Sequence, residues 1–222
     1  MPEISFFYVD IGRPGYTELA TGFVESVRAK VPGAFVSHLT CPDTPPIAGI
    51  DSLVRLDVPI TADNLMLART AMYAKQVRRA HGPIVFCDCD LRWNKPPVFG
   101  EDWDIGVLYR AGQPAMPYLG AMTYVTPNEA AIDWFAEVDF LARSMPRKTH
   151  NWWCDQFAVA LILGLHGRPG DILKSRAARV AVFDAYEHAF TPTYDDQECR
   201  AVAIHFKGIE RKKQLRERDN AD

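Results

Sequence analysis

The chain has 222 residues, of which 48% are hydrophobic and 24% charged, values typical of one globular domain of moderate size. Its net charge of −3 gives no electrostatic reason to expect general affinity for nucleic acids, although a local basic patch is still possible. No apolar run approaches the roughly 18 residues of a membrane span, and the N-terminus lacks the basic and apolar regions of a signal peptide. Five cysteines, an odd number in a chain of this length, do not make a disulfide framework and favour a reducing cytoplasm.

The first third of the chain predicts the start of an α/β sheet. Residues 4–9 form a predicted strand that ends in Asp10, and residues 34–39 and 53–56 form two more. Between the first two strands, apolar residues recur every four positions, which indicates an amphipathic helix. This strand–helix–strand order is typical of α/β proteins. The glycine-containing turn before the helix lacks the Gly-x-Gly-x-x-Gly spacing of dinucleotide-binding domains.

A second helix is predicted over residues 64–80, with Asp63 or Asn64 as its cap. Arg69 lies three or four positions from apolar residues of this helix and therefore falls on its inward face. A buried guanidinium needs an anionic partner. Two interpretations stay open, an internal salt bridge or a contact with the phosphate or sugar oxygens of a ligand.

Residues 83–90, Pro-Ile-Val-Phe-Cys-Asp-Cys-Asp, combine a predicted buried strand with two carboxylates, Asp88 and Asp90. Side chains two apart on a strand point the same way, so both would lie at the carboxyl end of a central strand, where open α/β sheets bind ligands. Hard oxygen ligands favour Mg²⁺ or Mn²⁺, which carboxylates commonly share with substrate phosphates. The working hypothesis is a metal–diphosphate site, and the alternative is two solvated loop carboxylates. Cys87 and Cys89 alternate with the aspartates and are interpreted as small core residues.

Two further strands are predicted over residues 104–109 and 118–125. The second contains Gly120-Ala121, and a glycine inside a strand indicates either close approach by a ligand or a bulge. A helix is then predicted to open with Thr126 as its cap, followed by proline and glutamate.

Residues 152–163 are apolar nearly all round, which predicts a buried helix. Asp155 and Gln156 are its only strongly polar members and lie in the first turn. Asp155 either stabilises the positive end of the helix or forms, with Gln156, a polar pair that faces a sugar.

Late strands are predicted over residues 180–183 and 201–206, and His205 lies at the end of the second. A lone histidine at a strand end is either structural or a ligand. The glycine and basic residues that follow favour diphosphate binding, because its oxygens accept hydrogen bonds from such donors. The charge run from 211 onward is interpreted as a solvated helix end.

Taken together, these residues resemble the GT-A glycosyltransferases, most closely the retaining enzymes of glycosyltransferase family 8 and related families. An ordered set that spans most of the chain carries the resemblance: Asp10, Arg69, Asp88, Asp90, Gly120, Ala121, Asp155, Gln156, His205, Gly208 and Lys212. The chain departs from the family pattern at Leu119 and Phe157 and lacks a final Lys-Pro-Trp. The donor sugar and the subfamily therefore stay open.

The resemblance implies a single Rossmann-like GT-A domain over residues 1–210, with a mixed, mostly parallel central sheet and a charged tail over 211–222. It implies a retaining transferase that takes a sugar from a nucleotide-diphosphate donor, with UDP expected as the nucleotide. The acceptor stays open among a saccharide, a lipid, a protein and a modified nucleic-acid base. The implied roles are metal binding (Mn²⁺ or Mg²⁺) for Asp88, Asp90 and His205, donor-sugar contacts for Arg69, Asp155 and Gln156, nucleobase binding for Asp10, donor binding for Gly120 and Ala121, and diphosphate contacts for Gly208 and Lys212.

Two alternatives belong to other classes. One is a phosphatase of the haloacid dehalogenase type, which also places Asp-x-Asp after a strand, but nearer the N-terminus and without an arginine in the position of Arg92. The other is a scaffold that binds sugar nucleotides without catalysis. Metal-dependent donor hydrolysis distinguishes an enzyme from such a binder.

Overall fold

The structure is a computed structural model that describes residues 1–190 and 201–206. Within them the strands are β1 (Glu3–Phe7), β2 (Phe35–Thr40), β3 (Ser52–Arg55), β4 (Ile84–Asp88), β5 (Leu91–Trp93), β6 (Ile105–Tyr109), β7 (Tyr118–Val125), β8 (Ile172–Ser175), β9 (Ala178–Asp184), β10 (Ala189–Phe190) and β11 (Ala203–His205). The helices are α1 (Tyr16–Lys30), α2 (Leu65–Val77), α3 (Glu129–Ser144), α4 (Cys154–Leu163) and α5 (Ala185–His188).

Eight strands form one mixed sheet in the order β3-β2-β1-β4-β7-β6-β9-β8. Strand β1 runs parallel to β2 and to β4, β2 parallel to β3, and β6 parallel to β9. Strand β7 is antiparallel to both of its neighbours, and β8 is antiparallel to β9. The predicted mixed, mostly parallel sheet is therefore present.

The sheet separates two hydrophobic cores, because side chains alternate between its faces along each strand. On one face, Ile4 and Phe6 of β1 pack in the core that holds Phe23 of α1. On the other face, Phe7 belongs to the core that holds Met72 of α2 and residues of α3 and α4. Strand β4 is buried on both faces, as its continuous apolar run predicts.

A second, three-stranded sheet has the order β10-β11-β5. Strand β5 follows β4 after a two-residue turn, and β11 pairs antiparallel with β5, so that His205 stands opposite Leu91. This small sheet brings a late segment of the chain back to the end of β4.

Two details of the predicted helices are wrong. Asn128, rather than Thr126, caps α3, since its side chain accepts a hydrogen bond from the Ala131 N–H at 2.8 Å. Helix α4 is not buried all round: Leu161 is 67% exposed, because the helix packs on α2, α3 and the sheet through one side only. No helix in the described part of the chain has the length and apolarity that crossing a bilayer requires.

Candidate metal and donor site

The candidate site lies where the central strands end. Strand β4 ends at Asp88, which pairs in register with Phe7 of the parallel neighbour β1. Carboxyl ends of parallel strands share one edge of a sheet, so Asp10, three residues after β1, belongs to the same edge. This is the edge that the sequence predicts for ligand binding.

Asp88, Asp90 and His205 come together at this edge. Each offers a ligand atom, and these atoms all lie within 4.8 Å of one another. The Nε2 atom of His205 is 3.3 Å from Oδ1 of Asp90, and the Phe206 N–H donates to the Asp90 carbonyl at 3.0 Å, which fixes β11 against the turn after β4. We call these three residues the Asp–Asp–His cluster.

The electrostatics of the Asp–Asp–His cluster suit a cation. Burial raises the pKa of the Asp88 carboxyl above its usual value, and although Arg69 opposes the rise, repulsion from Asp90 reinforces it. Asp90 and His205 are both buried. Two carboxylates and an imidazole that converge in this way offer the oxygen and nitrogen ligands that Mn²⁺ or Mg²⁺ accepts, so the residues present fit a divalent metal.

Arg69 connects the cluster with the start of α4. Its two terminal nitrogens form ion pairs with Oδ1 of Asp88 and Oδ2 of Asp155, and the arginine is only 4% exposed. Burial alone would lower the pKa of the guanidinium, but the carboxylates of Asp155 and Asp88 outweigh it and raise that pKa well above its usual value. Arg69 therefore stays charged. It forms an internal salt bridge, which is one of the two interpretations that the sequence left open.

Gly120 of β7 makes this bridge sterically feasible. A Cβ added at this position would lie 2.6 Å from Nη2 of Arg69 and 2.8 Å from Oδ2 of Asp155. The pairing of β7 with β6 also shifts register beside it, between Val107 and Leu108. The bulge interpretation of this glycine thus has a counterpart. The close approach seen at Gly120 is made by an ion pair of the protein, and approach by a ligand stays a prediction.

Asp155 and Gln156 lie in the first turn of α4 and line one cleft together with Arg69, Tyr73 and Gly120. Oδ1 of Asp155 is buried and accepts no hydrogen bond from any residue in the described ranges. Within this cleft the carboxylate oxygen that Arg69 does not engage therefore has no donor in the part of the chain that the structure describes.

Arg110 contacts Gln156 and was not singled out from the sequence, where it only opens a loop. Its Nη2 donates to Oε1 of Gln156 at 3.0 Å. The one sequence signal was its position directly after β6, at the same edge of the sheet as the ends of β1 and β4.

The remaining predicted residues either belong to neither the Asp–Asp–His cluster nor the ion pairs of Arg69, or lie outside the description. Asp10 is exposed, and its Oδ1 accepts a hydrogen bond from the Gly12 N–H at 3.0 Å. Ala121 is buried in the core on the α1 face of the sheet. Gly208 and Lys212 lie outside the described residues, as does the boundary between residues 210 and 211.

No family model matches the chain, and no curated protein matches it. Among solved structures, the chain is similar to one described as the crystal structure of a glycosyltransferase involved in the glycosylation of the major capsid of PBCV-1. The two share 14% identity with a TM-score of 0.60, over 96% of this chain and 98% of that chain. Likeness at this identity concerns the fold, and it confirms the predicted single GT-A domain.

Proposed function

We propose that this protein is a metal-dependent glycosyltransferase that moves a sugar from a nucleotide-diphosphate donor, with UDP as the expected nucleotide, to an acceptor with retention of configuration. The observation that carries the proposal is the convergence of Asp88, Asp90 and His205 at the sheet edge where α/β folds bind ligands. The GT-A fold of the chain supports the same reading.

Asp88, Asp90 and His205 would hold Mn²⁺ or Mg²⁺. The bound metal would supply Lewis-acid stabilisation of the leaving diphosphate. Arg69 holds the Asp88 carboxylate in place through their ion pair. Gly208 and Lys212 are proposed to donate to the same diphosphate, and Asp10 to bind the nucleobase.

Asp155 and Gln156 are proposed to face the donor sugar, over the backbone of Gly120 and Ala121. An inverting enzyme needs a general base behind the anomeric carbon. Among the described residues that line the cleft, Asp155 is the only carboxylate, and it is already paired with Arg69. A retaining reaction lets the acceptor hydroxyl attack on the face that the diphosphate leaves. The departing phosphate oxygen takes the hydroxyl proton, while the Gln156 amide oxygen and the Asp155 carboxylate stabilise positive charge on the sugar ring.

We further propose that the domain extends to residue 210, followed by a charged tail, and that the protein works in the cytoplasm. Cys41, Cys87 and Cys154 are free thiols and buried, which suits a reducing compartment.

The test is a screen of nucleotide sugars by thermal shift, with and without Mn²⁺, followed by turnover of the best ligand. We expect turnover to stop in excess EDTA and to return with Mn²⁺ or Mg²⁺. Asp88→Asn and Asp90→Asn should each lower the rate at least about 10²-fold, as losses of single charge-stabilising groups do elsewhere. Asp133→Asn, an exposed change on α3, is the matched control and should leave the rate unchanged.

Full turnover in EDTA, or near-normal rates in both aspartate variants, would contradict a metal site. Metal-dependent binding without turnover would favour a non-catalytic sugar-nucleotide binder. Proton NMR of the product should show the anomeric configuration of the donor, and an inverted product would overturn the retaining mechanism while leaving the metal site intact.

A further inference from the structure

Arg110 is a partly buried cation directly beside the proposed sugar site. Its Nη2 donates to the Met116 carbonyl at 2.9 Å and to the Gln156 amide oxygen at 3.0 Å, with the Tyr118 carbonyl at 3.5 Å. All of these acceptors are neutral. Its Nε is buried and has no hydrogen-bond partner among the described residues.

The environment of Arg110 differs from that of Arg69. Arg69 is buried between two carboxylates, whereas Arg110 forms no ion pair with any residue in the described ranges. Burial lowers the pKa of Arg110, and no carboxylate of the described residues opposes this effect. The guanidinium nevertheless stays protonated in proteins, so its charge is partly desolvated and has no counter-ion within residues 1–190 and 201–206.

This charge also opposes the proposed chemistry. Gln156 is to stabilise positive charge on the sugar ring through its amide oxygen, and that oxygen accepts a hydrogen bond from a cation. Positive charge develops on the sugar ring in the transition state, so the positive charge of Arg110 close to that ring would disfavour the transition state. An anion bound to Arg110 would neutralise this charge and compete with the Gln156 amide oxygen for the guanidinium donors.

We propose that Arg110 binds an anionic substituent, a carboxylate or a phosphate, on the sugar that is transferred or on the acceptor. The inference rests on the proposed function and adds the substrate class to it. The diphosphate of the donor is a different anion, since the Asp–Asp–His cluster is assigned to it. Arg110 is thus a specificity-determining residue for an acidic sugar or a phosphorylated acceptor.

The test compares matched probes by isothermal titration in the presence of Mn²⁺. The donor arm uses UDP, UDP-glucose and UDP-glucuronate, which differ at the sugar by one carboxylate. The acceptor arm uses glucose and glucose 6-phosphate, titrated into the protein saturated with UDP. The variants are Arg110→Gln, Arg110→Lys and the control Arg143→Gln, which removes an exposed ion pair with Asp139 on α3.

In one arm, wild-type protein should bind the anionic probe about 10- to 100-fold more tightly than the neutral one, the range of a hydrogen bond to a charged group. Arg110→Gln should remove this preference while leaving UDP binding within about 2-fold, and Arg110→Lys should keep part of it. The Arg143 control should behave as wild type. The responding arm identifies whether the anion belongs to the donor or to the acceptor.

Equal affinity for both members of each pair would overturn the inference, as would an Arg110→Gln variant that weakens UDP as much as the sugar probes. If Arg110 only fastens its loop, both variants would lower the melting temperature without changing any preference, which also overturns it. Failure of wild-type protein to bind UDP with Mn²⁺ would contradict the proposed function itself, and the inference would fall with it.

Discussion

Arg69 shows how one side chain sets the layout of the candidate site. Its inward position on α2 follows from helical periodicity, and the need for an anion follows from its burial. The partners, Asp88 and Asp155, come from two other elements. Removing one partner of such a buried pair usually costs about 3–5 kcal/mol, because a buried charge is left uncompensated. Arg69 is therefore best understood as a positioning residue that holds a proposed metal ligand, Asp88, and a catalytic candidate, Asp155, in a fixed relation.

His38 on β2 provides a prediction for the pH dependence of folding. The ring is fully buried, stacks on Phe6 with centroids 4.8 Å apart, and places Nε2 3.0 Å from the Tyr8 carbonyl. Burial lowers its pKa to about 4. In the unfolded chain the ring regains a pKa near 6.5, so the unfolded state binds more protons between these two values. Stability should be full above pH about 6.5 and fall by as much as about 3 kcal/mol as the pH drops towards 4.

Urea unfolding at a series of pH values checks this prediction. His38→Gln keeps a donor for the Tyr8 carbonyl but does not titrate, so the free energy of unfolding should depend less on pH between about 4 and 6.5. His188, whose pKa burial also lowers to about 4, stays in this variant and retains its own share. Unchanged slopes in His38→Gln would assign the acid sensitivity to other groups.

Strand β7 does more than complete the sheet, because its glycine leaves room for an ion pair between two helices. Gly120→Ala would put a methyl group into the space of the Arg69–Asp155 contact. The arginine end could move aside, but only by separating two buried charges. We expect a loss of about 1–3 kcal/mol in the free energy of unfolding, the range of overpacked sites, together with lower turnover.

Gly112→Ala is the matched control for this prediction. A Cβ at Gly112 meets no atom within 4 Å, and the residue lies in the exposed loop after β6. It should therefore unfold at the same urea concentration as wild type. If Gly120→Ala also behaves as wild type, the close approach at Gly120 has no energetic role.

At the scale of elements, the sequence predicted the strands that have strong local signals. The buried run before Asp88 and the strand after Gly33 follow from apolar runs and turn residues. Strand β8 has no such signal, since its residues become a strand only by pairing with β9. The apolar composition of α4 predicted burial, but composition does not tell how many neighbours surround a helix, and Leu161 remains exposed.

At the scale of the whole molecule, the resemblance to GT-A glycosyltransferases predicted more of the candidate site than local sequence patterns did. Asp88 and Asp90 can be paired from their spacing on a strand, whereas His205 joins them only because β11 returns to β5. Nothing local in the sequence specifies that return. Arg110 was missed for the same reason, since its contact with Gln156 depends on how β6 and α4 pack. Pairings between distant segments are set by the fold, and a single sequence contains little trace of them.

The Asp–Asp–His cluster joins a central strand to a late segment, so metal binding should stabilise one part of the molecule more than the rest. Residues 89–93 and 203–205 carry β5 and β11, and their short pairing is the link that a shared metal would reinforce. Hydrogen–deuterium exchange of these two segments should slow in Mn²⁺ and recover in EDTA. Exchange in β8, at the far edge of the large sheet, should not change. His205→Asn should remove the protection at β5 and β11. Equal protection in that variant would mean that His205 does not bind the metal, and its place beside Asp90 would then be structural.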